Sequence, residues 1–220
     1  DSACSRVTVD AVREAEPLLA EYGSKCMILA APEVPLDARI ALLRMGARHG
    51  CFRSASFASG EMEKVRRENL LADVDYLAIN AHEAALLSGV PAEQTPQETV
   101  NAAVKHLAAS CPALICSITA GRHGSWTWDG RTTRHIPPVE VRVVSTAGAG
   151  DAFMAGMLTG LAAGFTVAEA QELGNLAGSL SVSSPHTIDP GLDRISLREL
   201  LDSSGLKVSS ALRQALEGAR

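Results

Sequence analysis

The run Ser145-Thr146-Ala147-Gly148-Ala149-Gly150-Asp151-Ala152-Phe153 puts two glycines and an acid where an apolar, β-branched stretch gives way to a helical pattern. Gly148 and Gly150 permit backbone conformations that a Cβ disfavours, so successive N–H groups can converge on one anion at a helix start. Asp151 falls in the first helical turn, beside that anion. A carboxylate so placed suits a base that deprotonates a hydroxyl while the amides hold a migrating phosphoryl group. The plain structural alternative is a helix start with an acid favoured by the dipole.

Two further polar turns follow predicted strands. Asn80 and Glu83 stand three apart at a strand-to-helix junction, on one side of the first turn. Thr119-Ala120-Gly121-Arg122-His123-Gly124 forms the next turn. Each has a structural alternative, a cap with a first-turn acid in one case and a tight turn in the other. None is a Walker A loop, and none is a GxGxxG dinucleotide fingerprint. His82, His123 and His135 are spaced unlike zinc ligands and read as surface or cap residues. Ser56 and Ser59 lack the elbow context of a nucleophilic serine.

The elements that must position these residues alternate between the two periods. Short apolar runs at 26–31, 51–52, 76–79, 113–119 and 139–144 predict strands, the first and fourth buried on both faces. Helical patterns occupy 10–22, interrupted by Pro17, 36–45, stopped by Gly46, and 61–71. Residues 84–88 continue as a helix capped by Gly89, and Thr95 with Glu98 opens a helix over 95–110. A hairpin, 125–128 and 132–136, turns at Asp129-Gly130, a pair that suits type I′. Residues 149–163 are small and apolar almost all round and predict a buried helix, and 167–182 a second of the same kind. Residues 197–201 and 211–216 predict exposed amphipathic helices. This alternation is the grain of an α/β protein with a parallel sheet, whose three polar turns would share one edge.

Composition narrows the classes. In 220 residues, 46% hydrophobic and 4% aromatic, the core is Ala, Leu and Val, which suits helices on a sheet. A net charge of -5 with scattered positive residues gives no footprint for nucleic acid or an anionic membrane. No run approaches the length of a membrane span, and the first residues carry no export signal. Five cysteines without a CxxC pair predict reduced thiols and a cytoplasmic setting rather than a disulfide framework.

Together these motifs carry a resemblance. Residues 145–156 resemble the second signature of the ribokinase-like, PfkB-type carbohydrate kinases, usually Asp-Thr-Thr-Gly-Ala-Gly-Asp-Ala-Phe. Asn80-Ala81-His82-Glu83 resembles that family's Asn-x-x-Glu motif, and 118–124 its Thr-x-Gly-x-x-Gly nucleotide loop, in family order. The resemblance implies a three-layer α/β/α fold with a mainly parallel central sheet, one domain over 1–220 and a nucleotide site mainly within 80–190. It implies ATP-dependent phosphorylation of a hydroxymethyl group of a sugar or nucleoside. Asp151 would be the base, with the amides of Gly148, Ala149 and Gly150 as the anion hole. Asn80 and Glu83 would organise magnesium and the ATP phosphates, Glu83 through water. Thr119, Gly121 and Gly124 would form the nucleotide loop, and Asn175 would lie near the adenine.

The departures are equally specific. Ser145 stands where the family has an Asp that helps build a monovalent-cation site, so dependence on potassium does not carry over. Pro185-His186-Thr187 replaces the usual Gly-Ala after the second helix. The match runs over about 10–201 and corresponds to the later two thirds of the family pattern, so the opening strands, the lid and the sugar-binding signature are expected to be missing. Ser183 to Pro190 faintly resembles the ending of pseudouridine-type kinases. The expected partner is a small-molecule sugar or nucleoside, with a homodimer as in relatives that pair through the lid. The other reading is a catalytically inactive nucleotide-binding remnant or interaction module of the same fold.

Overall fold

Local signals set most element boundaries. The computed structural model describes residues 3–90 and 95–218. The helices are α1 (Val9–Arg13), α2 (Glu16–Tyr22), α3 (Leu36–Arg48), α4 (Met62–Arg67) and α5 (Ala81–Ser88). They continue with α6 (Pro96–Ser110), α7 (Ala149–Ala162), α8 (Val167–Ser181), α9 (Arg194–Ser204) and α10 (Ser210–Glu217). The strands are β1 (Met27–Ala30), β2 (Phe52–Ala55), β3 (Tyr76–Asn80), β4 (Ile115–Thr119), β5 (Ser125–Trp128) and β6 (Thr133–Ile136). They lie in one sheet in chain order, and β1, β2 and β3 pair in parallel, with Met27 opposite Phe52 and Ser54 opposite Tyr76.

Reciprocal caps start several helices. Thr95 and Thr166 accept from the amides of Glu98 and Glu169, whose carboxylates accept in return from the cap amides. Asp193 caps α9 by accepting from the Ile195 and Ser196 amides. Pro17 splits the first helical pattern into α1 and α2, lying where a missing N–H costs nothing.

The chain divides into two compact units, Asp1–Ile118 with Trp128–Thr132, and Thr119–Thr127 with Thr133–Arg220. In the first, Ile28, Ala55, Tyr76, Leu77, Leu43, Met62, Leu87 and Leu107 are buried. Tyr76 lies within this core, where burial pushes its phenol up, and its hydroxyl is 2.6 Å from Ser117 Oγ. Arg39 on α3 is buried too, its guanidinium donating to the carbonyls of Val34 (2.7 Å) and Ser56 (3.2 Å) and pairing with Glu61. In the second unit Val139, Leu173, Leu176, Leu197, Leu201, Leu212 and Leu216 form the core. The leucines of α9 and α10, helices expected to be exposed, are buried in this core with those of α8.

Several expectations are corrected. Residues 139–144 form no strand: the Val144 and Ser145 amides donate to the Val182 carbonyl (2.7 and 3.2 Å), and Val143 and Val144 stay exposed. Apolar β-branched sequence makes a strand only where a neighbouring edge takes its backbone groups. α3 runs through Gly46, which is a packing glycine, since a Cβ there would lie 2.4 Å from Ile28 Cδ1. The charged pattern at 61–71 breaks after α4, because Asn69 adopts a left-handed φ of 50° and starts a 3-10 turn over Leu70–Asp73. The Asp129-Gly130 turn is not type I′, since only Gly130 has positive φ. Asp129 instead accepts from the Arg131 and Thr132 amides. β1 is an edge strand with Leu29 exposed, not one buried on both faces. α7 is buried along one side only, through Phe153, Met154, Gly156, Met157 and Gly160, while Ala155 and Thr159 are exposed.

Candidate functional site

In the second unit, α7 begins at Gly148, whose φ of 80° lies in the left-handed region and whose lack of a side chain leaves the helix start uncapped. A Cβ on Gly148 would stand 2.0 Å from the Thr187 carbonyl oxygen, so conformation and packing both demand glycine. The first intrahelical bond runs from Ala152 N to Gly148 O (2.9 Å), and the Ala149 amide makes a long 3.4 Å contact with Thr146 O. The amides of Gly148, Gly150 and Asp151 have no acceptor among the described residues. Helix-start amides without partners can accept an anion, an interaction that the helix dipole favours. Around Gly150 a Cβ would meet nothing within 4 Å. Asp151 is exposed, and its carboxylate has no hydrogen bond or ion pair among the described residues.

What aims α7 is its seam with α8. A Cβ on Gly156 would lie 2.8 Å from Gly174 Cα, and one on Gly160 2.8 Å from Ala170 Cα. From the other side, a Cβ on Gly174 would lie 2.9 Å from Phe153 O and one on Gly178 3.2 Å from Ala149 O. The two backbones touch along this line, so α8 fixes the start of α7. α8 is fastened in turn: Gln171 Nε2 donates to Ser125 O (3.1 Å), and Asn175 Nδ2 to Pro137 O (3.1 Å). Arg134 pairs with the Glu172 carboxylate (2.7 Å), which also accepts from the Ser209 amide (2.8 Å).

The predicted nucleotide loop is a closed turn. Ala120 N donates to Gly124 O (2.9 Å), and Gly121 and Gly124 have φ of 52° and 84°. A Cβ on Gly124 would lie 2.1 Å from Ile136 O, whereas one on Gly121 would meet nothing. Gly124 is thus held by the hairpin and Gly121 faces open space. Thr119, half-buried, ends β4 directly before the turn. His123 and His135 are structural: His135 Nε2 donates to His123 O (2.8 Å), and its ring stacks on Trp126 with centroids 4.2 Å apart.

In the first unit, Asn80 and Glu83 form a capping box. Asn80 Oδ1 accepts from the Glu83 amide and Glu83 Oε2 from the Asn80 amide, both at 2.9 Å. Ser59 Oγ donates to Glu83 Oε1 (3.3 Å) and orients the carboxylate, a role its sequence context did not signal. Among the described residues no three His, Cys, Asp or Glu side chains converge to hold a metal ion. A single restrained carboxylate suits a magnesium ion that keeps its waters.

Each helix start thus gathers its own predicted residues: Gly148, Ala149, Gly150 and Asp151 at α7, Asn80 and Glu83 at α5. Asn175 is buried with its amide committed to Pro137. Sequence reasoning missed Thr187 and the glycine seam. The seam had a signal, since Gly156 and Gly160, and likewise Gly174 and Gly178, recur at a spacing of four. Thr187 had none.

Comparison with known proteins follows the same lines. The pfkB family carbohydrate kinase profile matches residues 10–194. An inositol 3-kinase of Arabidopsis thaliana is 36% identical over 90 residues, 40% of this chain and 25% of the relative. A ribokinase of Staphylococcus aureus (strain COL) is 28% identical over 158 residues, 70% of this chain and 49% of the relative. The solved adenosine kinase from Sinorhizobium meliloti superposes with a TM-score of 0.71 at 24% identity, covering 91% of this chain and 59% of that one. The chain spans from a quarter to about half the length of these two curated relatives. The profile spans most of the chain, both helix starts and the closed turn included, and the chain belongs to the pfkB family of carbohydrate kinases.

Proposed function

We propose that this chain carries the phosphoryl-transfer machinery of an ATP-dependent kinase acting on a hydroxymethyl group of a sugar or nucleoside. The observation that carries the reading is the start of α7, where partnerless amides follow the left-handed Gly148 and the unpaired carboxylate of Asp151 adjoins them. The ribokinase among the relatives supports a sugar hydroxyl as the acceptor, and the inositol 3-kinase supports a small polyhydroxylated molecule more broadly. ATP with magnesium supplies the phosphoryl group and neutralises its charge. Gly148, Gly150 and Asp151 donate their amides to the transferring phosphoryl oxygens, with Ala149 turning outward from Thr146 to join them. Asp151 accepts the proton of the acceptor hydroxyl as the new bond forms. Asn80 and Glu83 order water around the metal, and Ser59 keeps the Glu83 carboxylate turned to that task. Thr119 and Gly121 line the nucleotide, Gly124 holds their turn closed, and Asn175 sets the Pro137 carbonyl at the adenine end. A cytoplasmic, homodimeric enzyme with a small-molecule substrate is the setting this reading expects.

A second reading, an inactive nucleotide-binding remnant or interaction module, is favoured by Ser145, whose Oγ accepts from the Ala147 amide (3.3 Å) in a local turn. Assay of the full-length gene product with magnesium ATP and a panel of sugars and nucleosides separates the two. Transfer to one acceptor class is expected, and Asp151→Asn should lower turnover on the order of 10²-fold or more with an unchanged circular dichroism spectrum. ATP binding without transfer to any acceptor supports the second reading, and normal turnover in Asp151→Asn overturns the mechanism.

A further inference from the structure

The five cysteines play no part in the proposed transfer, yet two of them are brought together by the sheet. Cys26 immediately precedes β1 and Cys51 immediately precedes β2. Those strands pair in parallel with Met27 opposite Phe52, and the ladder continues one step back through the bond from Phe52 N to Cys26 O (2.9 Å). Cys26 therefore stands opposite Cys51, and side chains opposite one another in a parallel pair lie on the same face. Neighbouring strands run about 4.8 Å apart, inside the Cα separation of about 4.4–6.8 Å that a disulfide spans. Both residues sit at the leading ends of their strands, one step before the paired residues Met27 and Phe52.

Access differs between the two thiols. Cys26 is half-exposed, whereas Cys51 is buried. Cys51 is reached through a cavity of about 420 Å³ lined by Ser24, Gly50, Cys51, Phe52, Arg53 and Asp75. Burial, and then the neighbouring Cys26 thiol, push the Cys51 thiol up. Cys4 is exposed at the start of the chain, Cys111 is buried and Cys116 is buried inside the first core.

We propose that Cys26 and Cys51 form a cross-strand dithiol, a modification site that a low-molecular-weight disulfide oxidises to an intramolecular Cys26–Cys51 bond. Cys26, as thiolate, attacks one sulfur of oxidised glutathione, forming a mixed disulfide and releasing one reduced glutathione. Cys51 then loses its proton to solvent and attacks the Cys26 sulfur, and the second glutathione leaves as a thiolate that is protonated in turn. Two protein thiols are oxidised and one glutathione disulfide is reduced. The same pair, with two sulfurs on one face, would chelate a trivalent arsenical.

The native protein is incubated with oxidised glutathione, its remaining thiols are alkylated, and peptides are mapped without reduction. The expected result is a linked pair of peptides containing Cys26 and Cys51. Cys51→Ser should retain one stable glutathione on Cys26, and Cys26→Ser should leave Cys51 reduced. Phenylarsine oxide should give a one-to-one adduct in intact mass that either substitution abolishes. A stable glutathione on Cys26 in the wild type, a linkage to another cysteine, or full alkylation of both thiols after oxidation overturns the proposal. The wild-type mapping decides the matter even where a variant folds poorly.

Discussion

Gly148 and Gly150 differ in what a side chain would cost. At Gly148 an added methyl meets the Thr187 carbonyl and the backbone is left-handed, so Gly148→Ala should destabilise the fold by about 2 kcal/mol or more in urea unfolding. At Gly150 an added methyl meets no protein atom. Gly150→Ala should therefore leave the melting midpoint unchanged while weakening magnesium ATP binding or turnover about tenfold, the effect of roughly 1.4 kcal/mol on one anion contact. A stable variant with native binding and turnover would show that no anion meets this turn. The Gly-x-Gly-Asp arrangement was legible in the sequence because its chemistry is local. The Thr187 contact and the Ser59 bond to Glu83 were not, because each depends on where a distant segment of chain returns.

Elements were legible to the extent that their ends are set by neighbours in sequence. α6 begins and ends as Thr95, Glu98 and its apolar repeat predict. The expected strand at 139–144 failed because a strand is specified by its partner, and here the Val182 carbonyl takes the amides. Arg39 ties α3 to the loop before it through the Val34 carbonyl and to the segment after β2 through the Ser56 carbonyl and Glu61, with Phe57 5.6 Å beneath the guanidinium. Arg39→Met should cost about 3 kcal/mol in urea unfolding, because it strands these acceptors together with a carboxylate. The caps predict an acid response. The Thr95 hydroxyl holds Glu98, the Thr166 amide holds Glu169, and the Ser196 amide holds Asp193, each below its ordinary carboxylate range. Lowered folded values mean that their contribution is complete above the unfolded values of about 4 and is lost as pH falls through the folded ones. The urea midpoint should therefore decline between about pH 5 and pH 2, and Thr95→Val with Thr166→Val should flatten that decline.

At the scale of the whole molecule, composition and alternation were enough to indicate an α/β fold, and the order of three motifs was enough to indicate the family. No linker or change in composition marks the boundary between the two units. Among the described residues no helix is long and apolar enough to cross a membrane. If the start of α7 binds nucleotide in the folded state alone, magnesium ATP at a hundredfold excess over its Kd should raise the unfolding free energy by about 2.7 kcal/mol. A melting temperature that does not respond to ATP would count against the site. The contact of α7 with α8 through bare backbone has a kinetic consequence as well. Backbone meets backbone between Gly156 and Gly174, and the Phe153 and Met157 side chains of α7 seat on Gly174 beside that contact, so the two helices should part together. Amide hydrogens of Met157 on α7 and Leu176 on α8 should then exchange with deuterium at a single shared opening free energy, making the helix that begins after Gly148 and the helix behind it one cooperative unit of the native state.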